Sequence, residues 1–215
     1  EYGYETWEKE SYKEVSGTNA WAGLSVDEEK GIVFIPLGSP AFDFYGGNRK
    51  GENLFGNCLV ALDAASGTRK WHYQLVHHDL WDYDLPAPPT LVTLHQDNTT
   101  IEAVAQVSKM GLVFLFDRIS GKPLFPIEER PVPASALLGE ETWPTQPFPT
   151  KPAPFVRQSF SQSDITNISD SAHDYILQRI GHAKMGNIFT PPDTGGVIQI
   201  PGTRGGAEWG GPSFD

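Results

Sequence analysis

A repeat with a spacing of 54 residues constrains the fold of this 215-residue chain more than any other feature. Residues 59–71 read LVALDAASGTRKW, and residues 113–125 read VFLFDRISGKPLF. Each copy predicts a strand, a turn around Asp-x-x-Ser-Gly, and a second strand that carries an aromatic residue. The Asp carboxylate can accept hydrogen bonds inside the turn, and the Gly can take the left-handed backbone conformation. We expect the aromatic residue to pack against the neighbouring unit.

A second repeat relates residues 21–27 (WAGLSVD) to residues 209–215 (WGGPSFD). Short apolar segments bounded by Gly, Asp and Ser predict strands at 32–37, 59–62, 71–75, 90–94, 103–107 and 112–116. A period of roughly 50 to 60 residues with about four strands per unit is typical of a β-propeller built of four-stranded blades. Because the chain stops inside a repeat, we expect it to be part of a larger protein.

Residues 126–190 interrupt the period. The first part holds seven prolines between 131 and 154, which predicts an extended and irregular backbone. Ser169-Asp170-Ser171 then provides cap residues for a short helix. We therefore expect residues 1–215 to belong to a single propeller domain, in which 126–190 is a Pro-rich insertion that serves as a lid or a packing element.

Composition excludes several functions. The chain has 16 Lys and Arg against 27 Asp and Glu, a net charge of −11, so it is unsuited to binding nucleic acid or an anionic membrane. No apolar run approaches the length of a membrane-spanning helix. The single cysteine, Cys58, lies in an apolar segment and is expected in the core. The Gly-rich stretches fit neither a P-loop nor a dinucleotide-binding fingerprint.

The segment 77–86 (HHDLWDYDLP) is the strongest candidate for chemistry. Asp82 lies among Trp81, Tyr83 and Leu85, which can lower the local dielectric around a general base. Asp79 and Asp84 are alternatives for the same role, and any of the three could be a plain turn residue. The adjacent histidines of this segment would point to opposite faces of a strand, which disfavours a zinc site.

Lys109 follows Asp82 by 27 residues, in the sequence Ser108-Lys109-Met110-Gly111. A lysine at the end of a strand supplies a cation near the candidate base, although taken alone it is also a common turn residue. Trp21 and Trp209 open the second repeat and can be explained either as packing residues or as flat surfaces for a ligand. Ser39, after the strand at 32–37, has no chemistry of its own that singles it out.

Several of these pieces together resemble the quinoprotein dehydrogenases that use pyrroloquinoline quinone (PQQ), in particular the branch similar to membrane-bound glucose dehydrogenase. The matching segments are 19–23 (NAWAG), 38–49 (GSPAFDFYGGNR), 76–90 (VHHDLWDYDLPAPPT), 106–111 (QVSKMG), 117–121 (DRISG), 144–147 (PTQP) and 201–211 (PGTRGGAEWGG). The resemblance implies that the chain holds roughly three to four of about eight four-stranded blades.

The resemblance also implies roles for individual residues. Asp82 stands where the family has the catalytic base, and Lys109 where a cation hydrogen-bonds the reactive quinone carbonyl. Trp21 stands where an indole forms the floor beneath the quinone. Ser39 occupies a position at which alcohol dehydrogenases of the family have an Asn that binds calcium, so direct coordination of Ca²⁺ there would rely on a hydroxyl or backbone oxygen.

Glu208 and Trp209 match a motif of the family that lies near the cofactor. The activity implied is oxidation of a sugar such as glucose, or of an alcohol, by hydride transfer to PQQ with Asp82 as base, assisted by Ca²⁺. Electrons would pass to a quinone or a cytochrome, in the periplasm, in a protein whose membrane anchor, if present, lies outside these residues. The remaining blades would complete the site, and the 215 residues alone are expected to be inactive.

Two other hypotheses fit the repeat. The Asp-x-x-Ser-Gly turns need no cofactor, so the chain could come from a non-catalytic β-propeller that serves as an interaction scaffold. It could also come from a module that binds calcium or a sugar without redox chemistry.

Overall fold

Two antiparallel sheets form where the repeat predicts them, in a computed structural model that describes residues 2–96 and 98–215. The first is a four-stranded meander, and its strands are β1 (Ser25–Asp27), β2 (Ile32–Pro36), β3 (Cys58–Asp63) and β4 (Arg69–Gln74). The second has three strands, which are β5 (Thr90–Gln96), β6 (Thr99–Val107) and β7 (Val113–Asp117). These sheets match all six predicted strands, and β1 was not predicted.

The turns of the repeat have the predicted structure. In the first copy, Asp63 Oδ1 accepts hydrogen bonds from the backbone N–H of Ser66 at 3.0 Å and from its hydroxyl at 2.9 Å. In the second copy, Asp117 Oδ1 accepts the same pair from Ser120 at 2.8 and 2.7 Å. The glycine that follows has φ of 70° in the first turn and 69° in the second, where a side chain would be strained.

Trp71 of β4 joins the two sheets, as the repeat predicts for its aromatic residue. Its ring centroid lies 5.8 Å from that of Phe34 in β2 and 5.8 Å from that of Phe116 in β7. The indole Nε1 donates a hydrogen bond of 3.0 Å to the carbonyl oxygen of Arg118. The core therefore lies between the sheets, and Cys58 is buried in it as expected.

Replacing Trp71 with Ala is expected to lower the free energy of unfolding by about 3–5 kcal/mol, because a large buried ring is removed and its cavity is not refilled. Tyr175→Ala, at a residue that is 60% exposed on a surface helix, is the control and should change the free energy by less than about 0.5 kcal/mol. Urea denaturation followed by circular dichroism measures both. Equal effects of the two substitutions would show that Trp71 does not join the sheets.

The second copy of the repeat lacks a full fourth strand. After its turn, the chain makes only an isolated bridge between Phe116 and Pro123. Leu124 N donates to Leu115 O at 2.9 Å, and the next donor of this ladder would be residue 126, a proline without an N–H, so pairing cannot continue as it does in β4.

The Pro-rich stretch is more regular than predicted. Ile127–Pro131 (β8) pairs with Thr145–Pro149 (β9) in a two-stranded antiparallel sheet. The extended backbone that proline favours also suits a strand, and in a two-stranded sheet half of the N–H groups face away from the partner. Asp170–Ile180 forms helix α1, whose N-cap Ser169 accepts a hydrogen bond of 3.2 Å from Ala172 N. Three short 3-10 helices complete the structure, at Tyr4–Thr6, Ser11–Lys13 and Gln162–Asp164.

The end of this stretch packs into the core. Phe189 is fully buried, and its ring contacts Trp81 edge to face at 5.0 Å between centroids. Phe148 of β9 packs against the same ring at 5.4 Å. Within the part of the chain that the structure describes, no helix combines the length and the apolar character needed to cross a membrane. That 126–190 forms one insertion in a single domain stays a prediction.

Candidate active site

Residues 81–85, in the connection from β4 to β5, present their side chains alternately to two sides. Trp81, Tyr83 and Leu85 are buried in the core, whereas Asp82 and Asp84 point to the other side. The core side is held by hydrogen bonds from the Trp81 indole to the Thr190 carbonyl at 2.9 Å, and from the Tyr83 hydroxyl to the Ile188 carbonyl at 2.7 Å. Asp82 and Asp84, which lie between these apolar residues in the sequence WDYDL, thus reach the same place.

Lys109 lies in the turn between β6 and β7. The turn is closed by a hydrogen bond of 2.9 Å from Gly111 N to Ser108 O. The backbone of Lys109 is attached on both sides, since its N–H donates to Asp84 O at 3.3 Å and its carbonyl accepts from Gly206 N at 2.7 Å. These contacts place the lysine next to the two carboxylates.

Asp82, Lys109 and Asp84 form what we call the carboxylate–lysine cluster. Lys109 Nζ lies 2.9 Å from Asp82 Oδ2 and 2.7 Å from Asp84 Oδ2. Lys109 is only 6% exposed, and Asp84 is also buried. One cation is therefore shared by two carboxylates in a place that water reaches poorly, where charges interact more strongly than at the surface.

The cluster shifts the titration of its members. Burial raises the pKa of Asp82 to about 7, the charge of Asp84 adds to the rise, and the hydrogen bond from Lys109 opposes it. Burial disfavours the charged form of Lys109, but hydrogen bonds to Asp84 and Asp82 outweigh it and raise the pKa of the lysine. Near neutral pH, Asp82 can therefore accept and release a proton while Lys109 stays charged.

Ser39 and Asp79 lie directly beside the cluster. The backbone N–H of Ser39 donates to Asp84 Oδ1 at 2.6 Å, and its hydroxyl donates to Asp79 Oδ2. Asp79 is 1% exposed and also accepts a hydrogen bond of 2.8 Å from Asn57 Nδ2. Asp79 and Asp84 were the sequence's alternatives to Asp82, and they have different surroundings. Asp84 is paired with Lys109, whereas Asp79 contacts Ser39 and Asn57.

Trp21 lies at the open side of the site. A Cβ added at Gly38 would lie 2.6 Å from Asp84 Oδ1 and 3.0 Å from Trp21 Nε1. The indole and the Asp84 carboxylate therefore both pack closely against the backbone of this glycine. Only glycine permits that approach. Trp21 is 46% exposed, which leaves part of a flat indole available to a ligand next to the cluster.

Glu208 and Trp209 are placed differently. The segment that precedes them runs across Lys109, where a Cβ added at Gly205 would lie 2.5 Å from Lys109 Cβ. The side chain of Glu208 is exposed, and Trp209 is 75% exposed. The structure thus brings the neighbouring backbone to the cluster, while these two side chains face solvent.

The adjacent histidines have separate environments. His77 Nε2 lies 3.2 Å from Glu129 Oε1, and His78 Nδ1 lies 2.8 Å from the carbonyl oxygen of Gly51. Across residues 2–96 and 98–215, no three His, Cys, Asp or Glu side chains come together in a way that could hold a metal ion.

Sequence reasoning missed the part of the site that depends on distant residues. Asn57 gave no signal in the sequence, because its role depends on contacts with residues 18 and 22 positions away. Ser39 was selected through the family resemblance alone, and its hydrogen bonds to both Asp79 and Asp84 were not foreseen. The occurrence of Asp79, Asp82 and Asp84 within six residues was the one available hint that several carboxylates act together.

The two meander sheets carry, in the segments that flank their strands, a lysine shared by two aspartates and a half-exposed indole, an arrangement that suits a β-propeller with a site at the ends of its strands. A family model described as "PQQ: Glucose/ethanol/alcohol dehydrogenase, beta-propeller domain" matches residues 1–215. The chain belongs to this family. The predicted fold class, an all-β partial propeller, is confirmed.

Curated relatives agree with this assignment. The quinate/shikimate dehydrogenase (quinone) of Acinetobacter baylyi is 37% identical over 96% of this chain and 26% of its own length. The quinoprotein glucose dehydrogenase of Escherichia coli is 36% identical over 92% of this chain and 25% of its own length. The chain thus spans about a quarter of the curated relatives that it matches.

Solved structures show the same fold. The quinohemoprotein alcohol dehydrogenase ADHIIG from Pseudomonas putida HK5 aligns with a TM-score of 0.52 at 27% identity, over 61% of this chain and 20% of that one. The quinohemoprotein alcohol dehydrogenase from Comamonas testosteroni aligns with a TM-score of 0.54 at 24% identity, over 67% of this chain and 22% of that one, a likeness of fold alone.

Proposed function

We propose that the carboxylate–lysine cluster is the proton-accepting centre of a PQQ-dependent dehydrogenase that oxidises a sugar such as glucose, or an alcohol. The observation that carries the proposal is the environment of Asp82. Its carboxylate accepts a hydrogen bond from a buried cation, and its pKa of about 7 suits a general base. Family membership supports it, as do relatives named for dehydrogenation of glucose, glycerol and quinate.

The residues present suit PQQ. A flat, anionic quinone needs an aromatic surface and positive charge, and Trp21 offers a half-exposed indole near Asp84, the partner of Lys109. The ammonium group of Lys109 has three N–H donors, of which the two aspartates use two, so one is left for a carbonyl or carboxylate oxygen. PQQ, when bound, is the electron acceptor for the substrate.

The protein's own residues handle the proton. Asp82, in its ionised form, takes the proton of the substrate hydroxyl at Oδ1 or Oδ2, and its raised pKa makes it a stronger base than an ordinary aspartate. Lys109 holds Asp82 in position and supplies fixed positive charge next to the reacting oxygen. Asp84 holds Lys109 from the other side, so the lysine remains in place while Asp82 is protonated.

Calcium fits these residues less well than PQQ does. The Ser39 hydroxyl is directed to Asp79, and the residues described in the structure contain no group of three acidic, His or Cys ligands. The calcium that the family resemblance implies stays a proposal, for which most ligands would come from the rest of the longer protein. We derive no catalytic step from it.

The electron acceptor and the location are likewise proposals. Two relatives carry "(quinone)" in their names, which supports a quinone as the acceptor, with a cytochrome as the alternative. A periplasmic location agrees with the family resemblance. Cell fractionation with an antibody tests it, and recovery of the protein with the cytoplasmic markers would contradict it.

The pKa of Asp82 predicts how activity depends on pH. Because the base acts only when ionised, kcat/KM should rise about tenfold per pH unit below the inflection and level off above about pH 7. A profile of the whole protein with PQQ, taken from pH 5 to 9 with a dye as acceptor, measures it.

Asp84→Asn provides the comparison for this profile. Removing the carboxylate takes away a like charge that raises the pKa of Asp82, so the inflection should move to lower pH. An inflection that stays in place in Asp84→Asn, or one near pH 4 in the unmodified protein, would contradict the assignment of Asp82 as a base with a raised pKa.

A further inference from the structure

Asp79 is a buried carboxylate that does not contact Lys109 but accepts hydrogen bonds from four neighbouring groups. Oδ1 accepts a hydrogen bond of 2.8 Å from Trp81 N, and Oδ2 accepts one of 2.7 Å from Tyr83 N. Oδ2 also accepts from Asn57 Nδ2 at 2.8 Å and from the Ser39 hydroxyl. Four donors therefore converge on one side chain that is 1% exposed.

The two backbone hydrogen bonds bracket Asp82. The N–H groups of Trp81 and Tyr83 lie immediately before and after it in the chain, and both point to Asp79. Asp82 itself has φ of 58°, a left-handed conformation that is uncommon outside glycine, although Asp and Asn adopt it more readily than other residues do. Such a conformation persists where the surroundings hold it, and Asp79 supplies that hold.

Ser39 connects Asp79 to the other carboxylate of the cluster. Its hydroxyl donates to Asp79, and its backbone N–H donates to Asp84 Oδ1 at 2.6 Å. A guanidinium N–H of Arg49, which is fully buried, donates to the backbone carbonyl of Asp79 and fixes it from behind. Asp79 is thus linked to Asp82 through the flanking backbone and to Asp84 through Ser39.

We propose that Asp79 is a positioning residue for the reaction: it holds Asp82 in the left-handed conformation and, through Ser39, fixes Asp84, so that both carboxylates meet Lys109 Nζ. This inference rests on the proposed function. A carboxylate is required because all four partners are donors, and an asparagine in its place would direct its own N–H groups at one or two of them.

Asp79→Asn in the whole protein, loaded with PQQ, tests the proposal. We expect kcat to fall by about tenfold or more, because a displacement of about 1 Å at a reacting group costs about 10²-fold. KM and the dissociation constant of PQQ should change less than about threefold, since Asp79 touches neither ligand. The inflection of the pH profile should move to higher pH, because Asp82 loses part of its contact with Lys109.

Asp27→Asn is the matched control. Asp27 is an equally buried aspartate, 5% exposed and paired with Arg118 at 3.0 Å, but it lies in β1, away from the cluster. This variant should lose thermal stability and keep the kcat and the pH inflection of the unmodified protein. If Asp27→Asn loses as much kcat as Asp79→Asn at a similar loss of melting temperature, Asp79 has only a structural role and the proposal is overturned.

Ser39→Ala keeps the test decisive if Asp79→Asn does not fold. It removes one donor to Asp79 and leaves the backbone hydrogen bond to Asp84 in place. We expect kcat to fall by about threefold to tenfold with a shift of the inflection in the same direction. Unchanged kcat and inflection in this variant would overturn the proposal, whereas absence of PQQ-dependent turnover in the unmodified protein would instead overturn the proposed function.

Discussion

Replacing Asp82 with Asn is expected to lower kcat of the whole protein by about 10²–10⁴-fold, the usual contribution of a general base. The amide has nearly the size of the carboxylate, so packing around Trp81 and Tyr83 should persist. It cannot accept the hydroxyl proton, which is the step assigned to Asp82. Because Asp82 does not contribute the aromatic surface, the affinity for PQQ should change far less than kcat does.

Steady-state kinetics with a sugar or alcohol substrate and an artificial acceptor measure this effect. Asp174→Asn, at an exposed position of helix α1, is the matched control and should leave kcat unchanged. Raising the pH should not restore the activity of Asp82→Asn, since an amide does not ionise. Full PQQ-dependent turnover in Asp82→Asn would show that another group is the base.

Lys109→Met is expected to lower kcat/KM by about 10²–10³-fold, because a fixed charge next to a reacting oxygen is lost. Methionine keeps most of the length of the side chain and removes only the charge. Asp82 and Asp84 then lose the cation that they share at 2.9 and 2.7 Å. Two carboxylates without a counter-charge repel each other, so Asp82 should be protonated over a wider pH range.

This variant should also bind PQQ more weakly and unfold at a lower temperature, because an uncompensated buried charge is destabilising. Lys50→Met is the control: Lys50 pairs with Glu141 at 2.7 Å on the surface, where solvent screens the ion pair and its loss should change stability little. Kinetics and thermal unfolding of the two variants decide the outcome. If Lys109→Met behaves like Lys50→Met, Lys109 has no role in the site.

The features that the sequence predicted well are local ones. The Asp63 and Asp117 turns are defined by residues three positions apart, so residue type and spacing were sufficient to predict them. By contrast, the expectation that Trp81, Tyr83 and Leu85 surround Asp82 was wrong, since these three side chains point into the core while Asp82 points to Lys109. The pairing of β8 with β9 was not predicted, although the prolines did predict the extended backbone of both segments.

The contacts that complete the site cross long distances in the chain, and the sequence alone could not supply them. Ser39 reaches Asp79 across 40 residues, and Lys109 reaches Asp84 across 25. Which donors surround a carboxylate depends on how the sheets pack, and this packing decides that Asp82 titrates near neutral pH. Glu208 and Trp209 were selected by the family motif as residues near the cofactor, but their side chains face solvent in the structure.

Trp21 and the carboxylate–lysine cluster together should form one site for PQQ. Equilibrium dialysis of PQQ against the whole protein tests it most directly, with Trp21→Ala, Lys109→Met and Asp82→Asn measured side by side. We predict saturable binding that weakens by roughly tenfold in Trp21→Ala and in Lys109→Met and stays nearly unchanged in Asp82→Asn. Equal affinity in all four proteins would contradict the account, because PQQ would then bind away from Trp21 and Lys109.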